Sequence, residues 1–198
     1  MIVPLAVLSV VATVLDGISS HPVISAFVAI VVLVVVAGIV VVSRRREASL
    51  AAEHEQARRA QWAIAVAQSR EIAQYHAMDS RAFEQALAFL CTRDGCTGVE
   101  ATGKAGDFGA DVIAYSPNGR KVVLQAKRYG PTHKVGSQDM QRFGGTCFTY
   151  HQAAIAAVVT TSTFTRHAMD YATKAGIRLV DVNALAAWAS RTGPAPWH

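Results

Sequence analysis

The sequence predicts an α/β domain with a mixed sheet, preceded by an N-terminal transmembrane helix or helical hairpin and a helical stalk. An uncharged apolar run extends from Val23 to Val42. Further along, two β-like runs, ADVIAY and KVVLQAKRY, are joined by the turn sequence SPNGR. Beyond them, apolar β-like runs alternate with helical patterns, which is typical of an α/β domain. The 198 residues of the chain suit one domain of roughly 100 to 150 residues and a smaller part.

The run from Val23 to Val42 predicts a transmembrane helix. It contains 20 uncharged residues, and at about 1.5 Å per residue it is long enough for a hydrocarbon core of about 30 Å. Arg44, Arg45 and Arg46 follow it directly. Because Lys and Arg are enriched on the cytoplasmic side of membrane spans, we expect a cell-membrane protein whose C-terminal domain is cytoplasmic.

A shorter apolar run, Ile2 to Leu15, lies upstream and is separated from the main run by DGISSH. Such a run is compatible with the short first span of a helical hairpin, with an interfacial or re-entrant piece, or with a signal-like segment. No Lys or Arg precedes it, which disfavours a signal peptide. The predicted membrane anchor, residues 1–43, therefore has one or two transmembrane helices.

Residues 44–76 predict a helical stalk that continues from the membrane span. They are rich in Ala, Glu, Gln and Arg and contain no Pro or Gly, so strong helix formers dominate. Trp62, Val66 and the segment from Ile72 to Tyr75 form an apolar stripe that is too irregular for a coiled coil. This stripe would serve self-association or docking on the domain that follows.

The predicted domain, residues 77–190, opens with a helix. Asp79 or Ser80 is expected to cap the segment RAFEQALAFLCTRDG, in which apolar residues recur at helical spacing and Gly95 marks the end. A weak first strand is expected around Gly98 to Thr102. The two β-like runs follow, and the Pro-Asn-Gly within SPNGR indicates a tight turn between them.

The second half of the domain predicts alternating helices and strands. Ser137 is expected to cap a helix through QDMQRF, and AAIAAVVTT reads as a buried strand. Thr163 or Thr165 opens the helix TRHAMDYATKA, which Gly176 ends. A strand, IRLVD, and a last helix, NALAAWAS, complete the domain. Residues 191–198 form a tail.

Charge, cysteine and histidine content indicate which partners and metal sites the domain is expected to have. Residues 77–198 contain 13 Lys and Arg against 9 Asp and Glu, and a basic domain suits a polyanionic partner. The three cysteines lack the Cys-x-x-Cys spacing of a zinc clamp, which favours reduced thiols in a cytosolic domain. No HExxH motif is present, so no histidine is assigned to a metal.

Glycine patterns before the first β-like run suggest nucleotide sites that their context excludes. GVEATGKA resembles a phosphate-binding loop, but Ala105 stands where Ser or Thr would hold magnesium, and no helix follows. The triplet at Asp107 to Gly109 resembles the kinase DFG without a catalytic-loop HRD. This stretch therefore reads as a flexible turn that leads into the strand of Asp111.

The hairpin itself carries a candidate site. Gln125 and Lys127 project from one face of their strand, and Asp111 falls opposite Gln125 if Tyr115 pairs with Lys121. Hydrolysis of a phosphodiester needs a hard cation, and Mg²⁺ prefers oxygen ligands such as a carboxylate, an amide oxygen and a backbone carbonyl. Lys127 beside such a cation would orient water and stabilise negative charge. The alternative is a strand that only happens to begin with Asp and end with Lys on a solvated face.

A longer resemblance favours the first interpretation. From Met78 to Trp188 the chain resembles the Mrr-type (type IV) restriction endonuclease domain of the PD-(D/E)xK nuclease superfamily, through AFEQALAFL, GDFGADVIAY, VVLQAKRYGPTHKVGSQDMQRFGG and VVTTSTFTRHAMDYATKAGIRLVD. The resemblance implies a restriction-endonuclease-like mixed sheet flanked by helices. It also implies a DNA endonuclease that uses Mg²⁺, with Mn²⁺ as a substitute, in the restriction of foreign or modified DNA.

The resemblance also implies roles for single residues. Asp111 and Gln125 would be metal ligands and Lys127 the catalytic lysine, while Glu84 on the first helix would support the site and Gln141 would line it. Gln125 replaces the glutamate of most relatives in the wider superfamily, and this loss of a charge makes Glu84 more important.

Further expectations concern the partners. Basic residues near the hairpin would contact DNA phosphates; the candidates are Arg128, Lys134, Arg142 and Arg120. Double-strand cleavage usually requires two active sites, so a homodimer paired through the stalk is a further expectation. The competing function is a membrane-tethered module that binds or senses nucleic acid without useful catalysis.

Overall fold

The computed structural model describes residues 22–103 and 106–198, which fall into two compact units, within residues 1–59 and 60–198. Each unit is described by itself. The predicted apolar segment Ile2 to Leu15 lies outside the described residues.

Helix α1, Pro22–Ala77, contains the predicted membrane span and the predicted stalk. Within the described residues it is the one helix long and apolar enough to cross a membrane, judged by length and composition. The same criteria are met by a signal sequence near an N-terminus. Residues 44–76 are helical as predicted.

The second unit is built around a five-stranded mixed sheet of order β1-β2-β3-β4-β5. Strands β1 to β3 pair antiparallel, whereas β3, β4 and β5 pair parallel. The strands are β1 (Thr97–Ala101), β2 (Val112–Tyr115), β3 (Lys121–Lys127), β4 (Ile155–Thr160) and β5 (Arg178–Val180). The helices after α1 are α2 (Ser80–Arg93), α3 (Ser137–Cys147), α4 (Arg166–Ala175) and α5 (Val182–Ala189).

Helix ends follow the predicted signals with one exception. The Asp79 carboxylate accepts the Ala82 N–H at 2.7 Å at the start of α2, and Thr165 caps α4. Gly176 ends α4 with a φ of +70°, a backbone region that glycine adopts at little cost. Ser137 was expected to cap α3 but is its first helical residue, because the extended Gly136 precedes it in the capping position.

The sheet separates two apolar layers. On one side α2 and α5 pack on the sheet, with Phe83, Leu87 and Trp188 fully buried. On the other side α3 and α4 pack on it through Met140, Phe143 and their neighbours. Alternate residues of β3 enter the two layers, so this central strand is buried on both faces.

Segments predicted as stalk and tail contribute to the first layer. Tyr75, near the end of α1, is 5% exposed and packs edge-to-face on Phe83, with ring centroids 5.8 Å apart. Trp197, near the C-terminus, is 3% exposed and packs edge-to-face on Trp188. The core of this unit therefore reaches beyond residues 77–190 at both ends.

A fragment of residues 60–198 should melt cooperatively and at a higher temperature than a fragment of residues 77–198, because the shorter fragment lacks Tyr75. Within the longer fragment, Tyr75→Ala should cost about 3 kcal/mol of unfolding free energy, in the range for truncating a buried aromatic side chain. Trp62→Ala is the matched control, since Trp62 is 73% exposed and its loss should have little effect. Calorimetric or circular-dichroism melting checks this, and equal melting of the two fragments would contradict it.

Candidate active site

The β2–β3 hairpin has the register that the sequence predicts. Tyr115 pairs with Lys121, and the paired register ends at Val112 and Leu124, so the expected position of Asp111 opposite Gln125 lies just outside it. The Asp111 backbone N–H donates to the Leu124 carbonyl at 2.9 Å, and its carbonyl accepts the Thr102 N–H at 2.9 Å. The backbone of Asp111 is therefore fixed on both sides.

The Asp111 carboxylate points at the strand that carries the other candidate residues. Its Oδ2 accepts the backbone N–H of Ala126 at 2.7 Å. Ala126 lies between Gln125 and Lys127, so one short hydrogen bond brings all three predicted residues together. No hydrogen bond to Asp111 Oδ1 is present in the described part of the chain, which leaves that oxygen available to a ligand.

Gln125 carries an unsatisfied polar atom on the same strand. The residue is 6% exposed, and its Oε1 has no hydrogen-bond partner within the described residues. A buried acceptor without a partner costs about 1–3 kcal/mol, so such an atom calls for an explanation. A hard cation, which prefers oxygen ligands, is one partner that would satisfy Oε1.

Gly109 allows this arrangement of Gln125. Its φ is +85°, and a Cβ atom placed on it would lie only 3.1 Å from Gln125 Nε2. A larger residue would therefore be strained in its backbone and crowded against the amide.

Burial raises the pKa of Asp111 to about 7. The hydrogen bond from Ala126 opposes this shift, the charges of Glu84 and Asp107 add to it, and the charge of Lys127 opposes it. Near neutral pH this carboxyl group therefore keeps a proton more readily than an ordinary aspartate does in the metal-free protein. Because a metal ligand must be ionised, cation binding would release this proton.

Glu84 approaches the same site from α2. Burial, followed by the charge of Asp107, raises the pKa of its carboxyl group. A Cβ on Gly103 would overlap Glu84 Oε2, so glycine at this position makes room for the carboxylate. Asp107 belongs to the stretch predicted as a flexible turn, and its electrostatic contribution at the site was not predicted.

The protein ligands available to a cation are few. Among residues 22–103 and 106–198, no group of three or more His, Cys, Asp and Glu side chains could hold a metal ion. Asp111, Gln125 and nearby backbone carbonyls are thus the candidate ligands. A small ligand set suits Mg²⁺, which usually keeps several waters.

Lys127 contacts a residue that sequence reasoning missed. Its Nζ lies 3.5 Å from Asp139 Oδ1, on the first turn of α3. The Asp139 carboxylate also accepts the Tyr129 hydroxyl and the Gly136 N–H, each at 3.3 Å. Both charged side chains of the pair are mostly buried, so Asp139 holds the ammonium group in a defined place. The sequence does show Asp139 as an acidic residue in the first turn of a predicted helix. The spacing of the two residues in the sequence does not identify Lys127 as its partner.

The other predicted residues are placed less closely. Gln141 is exposed on α3. Arg128, Lys134 and Arg142 are exposed in the segment that continues from β3 through α3. Arg120 is not brought to the site, because it lies in the hairpin turn at the far end of β2 and β3, where it donates to the Trp197 carbonyl at 3.0 Å.

In metal-free protein, Asp111→Asn should raise the melting temperature more at pH 8 than at pH 5. The folded-state pKa of about 7 lies above the ordinary 3.8, so stability present at low pH is lost as the pH rises through about 7. Asparagine does not ionise and escapes this loss. Melting curves in EDTA check the difference, with Asp170→Asn on the exposed face of α4 as the matched control. An Asp111→Asn effect that is equal at both pH values would contradict the raised pKa.

A comparison with family models gives a match over more than half of the chain. Residues 75–189 match the family model Mrr_cat, described as restriction endonuclease. A comparison with curated proteins gave no match.

Solved structures with similar folds include two restriction endonucleases. MspJI in complex with a 27-mer oligonucleotide has a TM-score of 0.48 and 23% identity, over 65% of this chain and 31% of its own. AspBHI, a DNA modification-dependent restriction endonuclease, has a TM-score of 0.48 and 22% identity, over 68% of this chain and 35% of its own. This chain thus spans about a third of their length. Because the family match covers more than half of its residues, the protein belongs to the Mrr-type restriction endonuclease family, and its mixed sheet with flanking helices has the restriction-endonuclease fold that the sequence predicts.

Proposed function

We propose that this protein is a membrane-anchored, Mg²⁺-dependent DNA endonuclease that hydrolyses phosphodiester bonds, with Mn²⁺ as a substitute. One observation carries the proposal. The Asp111 carboxylate is hydrogen-bonded to the backbone between Gln125 and Lys127, and the buried amide oxygen of Gln125 lacks a partner. A carboxylate, a free amide oxygen and an ammonium group are groups that metal-dependent phosphodiester hydrolysis can use.

Asp111 and Gln125 would hold the cation. The bound cation would supply Lewis-acid activation of the phosphate and of a water. Asp111 would contribute its carboxylate and Gln125 its amide oxygen. Glu84 adds negative potential from α2, since its charge already acts on Asp111, and this compensates in part for an amide at position 125.

Lys127 would act on the charge that develops during the reaction. Its ammonium group is held by Asp139 at 3.5 Å, and a preorganised cation stabilises a transition state without having to reorganise. The same ammonium group can orient the attacking water. Asp139 is thus proposed as a positioning residue, which acts on the chemistry through Lys127.

DNA would be held mainly through its phosphates. Arg128, Lys134 and Arg142 are exposed near the end of β3 and on α3, and contacts of this kind make binding sensitive to salt. Gln141 would line the groove on the same helix. Restriction of foreign or modified DNA is the biological role we propose, on the strength of the family.

The full-length protein, purified in detergent, should nick or cut plasmid DNA with Mg²⁺ or Mn²⁺ and should be inactive in EDTA. Asp111→Ala and Lys127→Ala should each lower the rate by about 100-fold or more, while DNA affinity stays within about tenfold because phosphate contacts remain. Gln125→Glu should keep part of the activity, since it still offers an oxygen ligand. Lys121→Ala is the matched control, because Lys121 lies on the same strand at its other end.

Three outcomes would contradict this proposal. Cleavage that persists in EDTA, or an Asp111→Ala protein that cuts normally, would show that the proposed metal site is not used for cleavage. Tight DNA binding without cleavage under any divalent cation would favour a binding or sensing module instead. In the same assay, linearisation whose rate rises with the square of the protein concentration would support a homodimer with two active sites.

We also propose that α1 anchors the protein in the cell membrane with the nuclease domain in the cytoplasm. The apolar part of α1 is long enough to span a bilayer, and Arg44 to Arg46 follow it, as on the cytoplasmic side of a span. A reporter that works only in the cytoplasm should be active when it is fused after His198. A reporter that works only outside the cytoplasm should be inactive there. Arg44–Arg46 replaced by Glu should weaken this orientation, and a reporter active only outside the cytoplasm would overturn it.

A further inference from the structure

Phe108 is exposed in a backbone conformation that a bulky residue rarely adopts. Its φ is +49° and 55% of its surface is exposed. The Ala110 N–H donates to the Asp107 carbonyl at 3.1 Å, and both central residues, Phe108 and Gly109, have positive φ. These are the features of a type I′ turn, whose central positions favour Gly, Asn and Asp. The turn itself therefore gives no reason for phenylalanine.

A second exposed aromatic ring lies against Phe108. Tyr150 is 62% exposed, and the two ring centroids are 4.6 Å apart at an interplanar angle of 45°. Tyr150 in turn packs edge-to-face on His151 at 4.9 Å. Thr146, at the end of α3, donates its hydroxyl to the Phe108 carbonyl at 2.7 Å. The pair is thus fixed in place from both the turn and α3.

This aromatic pair lies next to the candidate active site. Gly109, the residue after Phe108, approaches the Gln125 amide, and Asp111 follows two residues later. Three residues of chain span at most about 11 Å, which equals about three nucleotide steps along a DNA strand. A nucleotide on either side of a phosphate held at Asp111 is therefore within reach of the two rings.

Positive charge accompanies the rings. Arg142 is exposed on α3, one helical turn before Thr146, whose hydroxyl also lies 3.4 Å from the Arg142 carbonyl. Aromatic side chains that stack on bases, together with cations that bind the backbone, are the combination used to hold unpaired nucleic acid strands. An apolar contact with a protein would not need this cation.

We propose that Phe108 and Tyr150 form a base-contacting platform, which stacks on an unpaired or unstacked DNA base within about three nucleotides of the scissile phosphate. The platform rests on the proposed nuclease function and specifies how substrate is held beside the cut. It predicts that DNA whose bases can leave the helix, through a mismatch, a nick or a single-stranded region, is bound more tightly than intact duplex.

Affinity for DNA tests the platform in the full-length protein with Lys127→Ala, so that no DNA is cut. Phe108→Gly is the preferred variant because glycine adopts the positive φ without strain, and it is paired with Tyr150→Ala. Each should weaken binding roughly 5- to 100-fold, the effect of removing one base-stacking ring. Phe89→Ala, which removes a phenylalanine 67% exposed on α2, is the matched control and should bind like the parent protein.

Salt dependence separates stacking from phosphate contact. Phe108→Gly should leave the slope of log affinity against log salt unchanged, because the ring neutralises no phosphate. Arg142→Ala should reduce that slope by about 1. In a further series, an abasic analogue is moved one nucleotide at a time around the cut. At one or two positions it should weaken DNA binding by the parent protein, and there it should cause no further loss of binding in Phe108→Gly.

The possible failures are distinguishable. If the unmutated protein neither binds nor cuts DNA, the nuclease function and the platform both fall. If it cuts DNA, but Phe108→Gly and Tyr150→Ala bind within twofold of Phe89→Ala, only the platform is wrong. Normal DNA binding by these variants together with a lower dimer fraction in sedimentation would assign the rings to contact with a second copy, and would also overturn the platform.

Discussion

The burial of β3 on both faces is the constraint on which the site depends. Val122 and Leu124 enter one apolar layer and Val123 the other, while β2 and β4 hold the two edges of the strand. A shift of register by one residue would exchange the two faces, which burial forbids. Thr160 also donates its hydroxyl to the Lys127 carbonyl at 2.7 Å. Gln125 and Lys127 are therefore positioned by the core, and Asp111 is positioned by its bond to the same strand.

Electrostatics explains why an amide suits position 125. The carboxylates of Glu84 and Asp107 already raise the pKa of Asp111, while Lys127, whose charge lowers it, is paired with Asp139. A buried glutamate at position 125 would add another negative charge, which must be protonated or neutralised when no cation is bound. Glutamine supplies an oxygen ligand without that cost. With glutamine, the metal-free fold therefore has less electrostatic repulsion than with glutamate, and a bound cation is surrounded by less negative charge.

Local patterns were sufficient for the sheet, the helices and the hairpin register, because turn chemistry and periodicity determine them within a few residues. The roles of Asp111, Gln125 and Lys127 came from the family resemblance and stay a prediction. The contact between Lys127 and Asp139 could not be predicted, since it depends on the path of the loop between β3 and α3. Arg120 could have been excluded from the site. It lies in the hairpin turn, whereas the candidate site lies at the opposite end of the two strands. Tyr75 lay in a segment interpreted as a stalk, where sequence spacing gave no sign of its contact with Phe83.

The glycine-rich stretch before Asp111 combines two requirements in one turn. It was interpreted as flexible, yet the Asp107 carboxylate accepts the Gly109 N–H at 2.9 Å, and Thr102 donates its hydroxyl to the Ala110 carbonyl. These bonds deliver Asp111 to β3 in a fixed orientation. Asparagine or glycine in place of Phe108 would form the same turn with less strain, so the positioning of Asp111 does not account for the ring. Strained residues that persist are concentrated at functional sites, and here the strain holds an aromatic surface open beside the proposed catalytic residues.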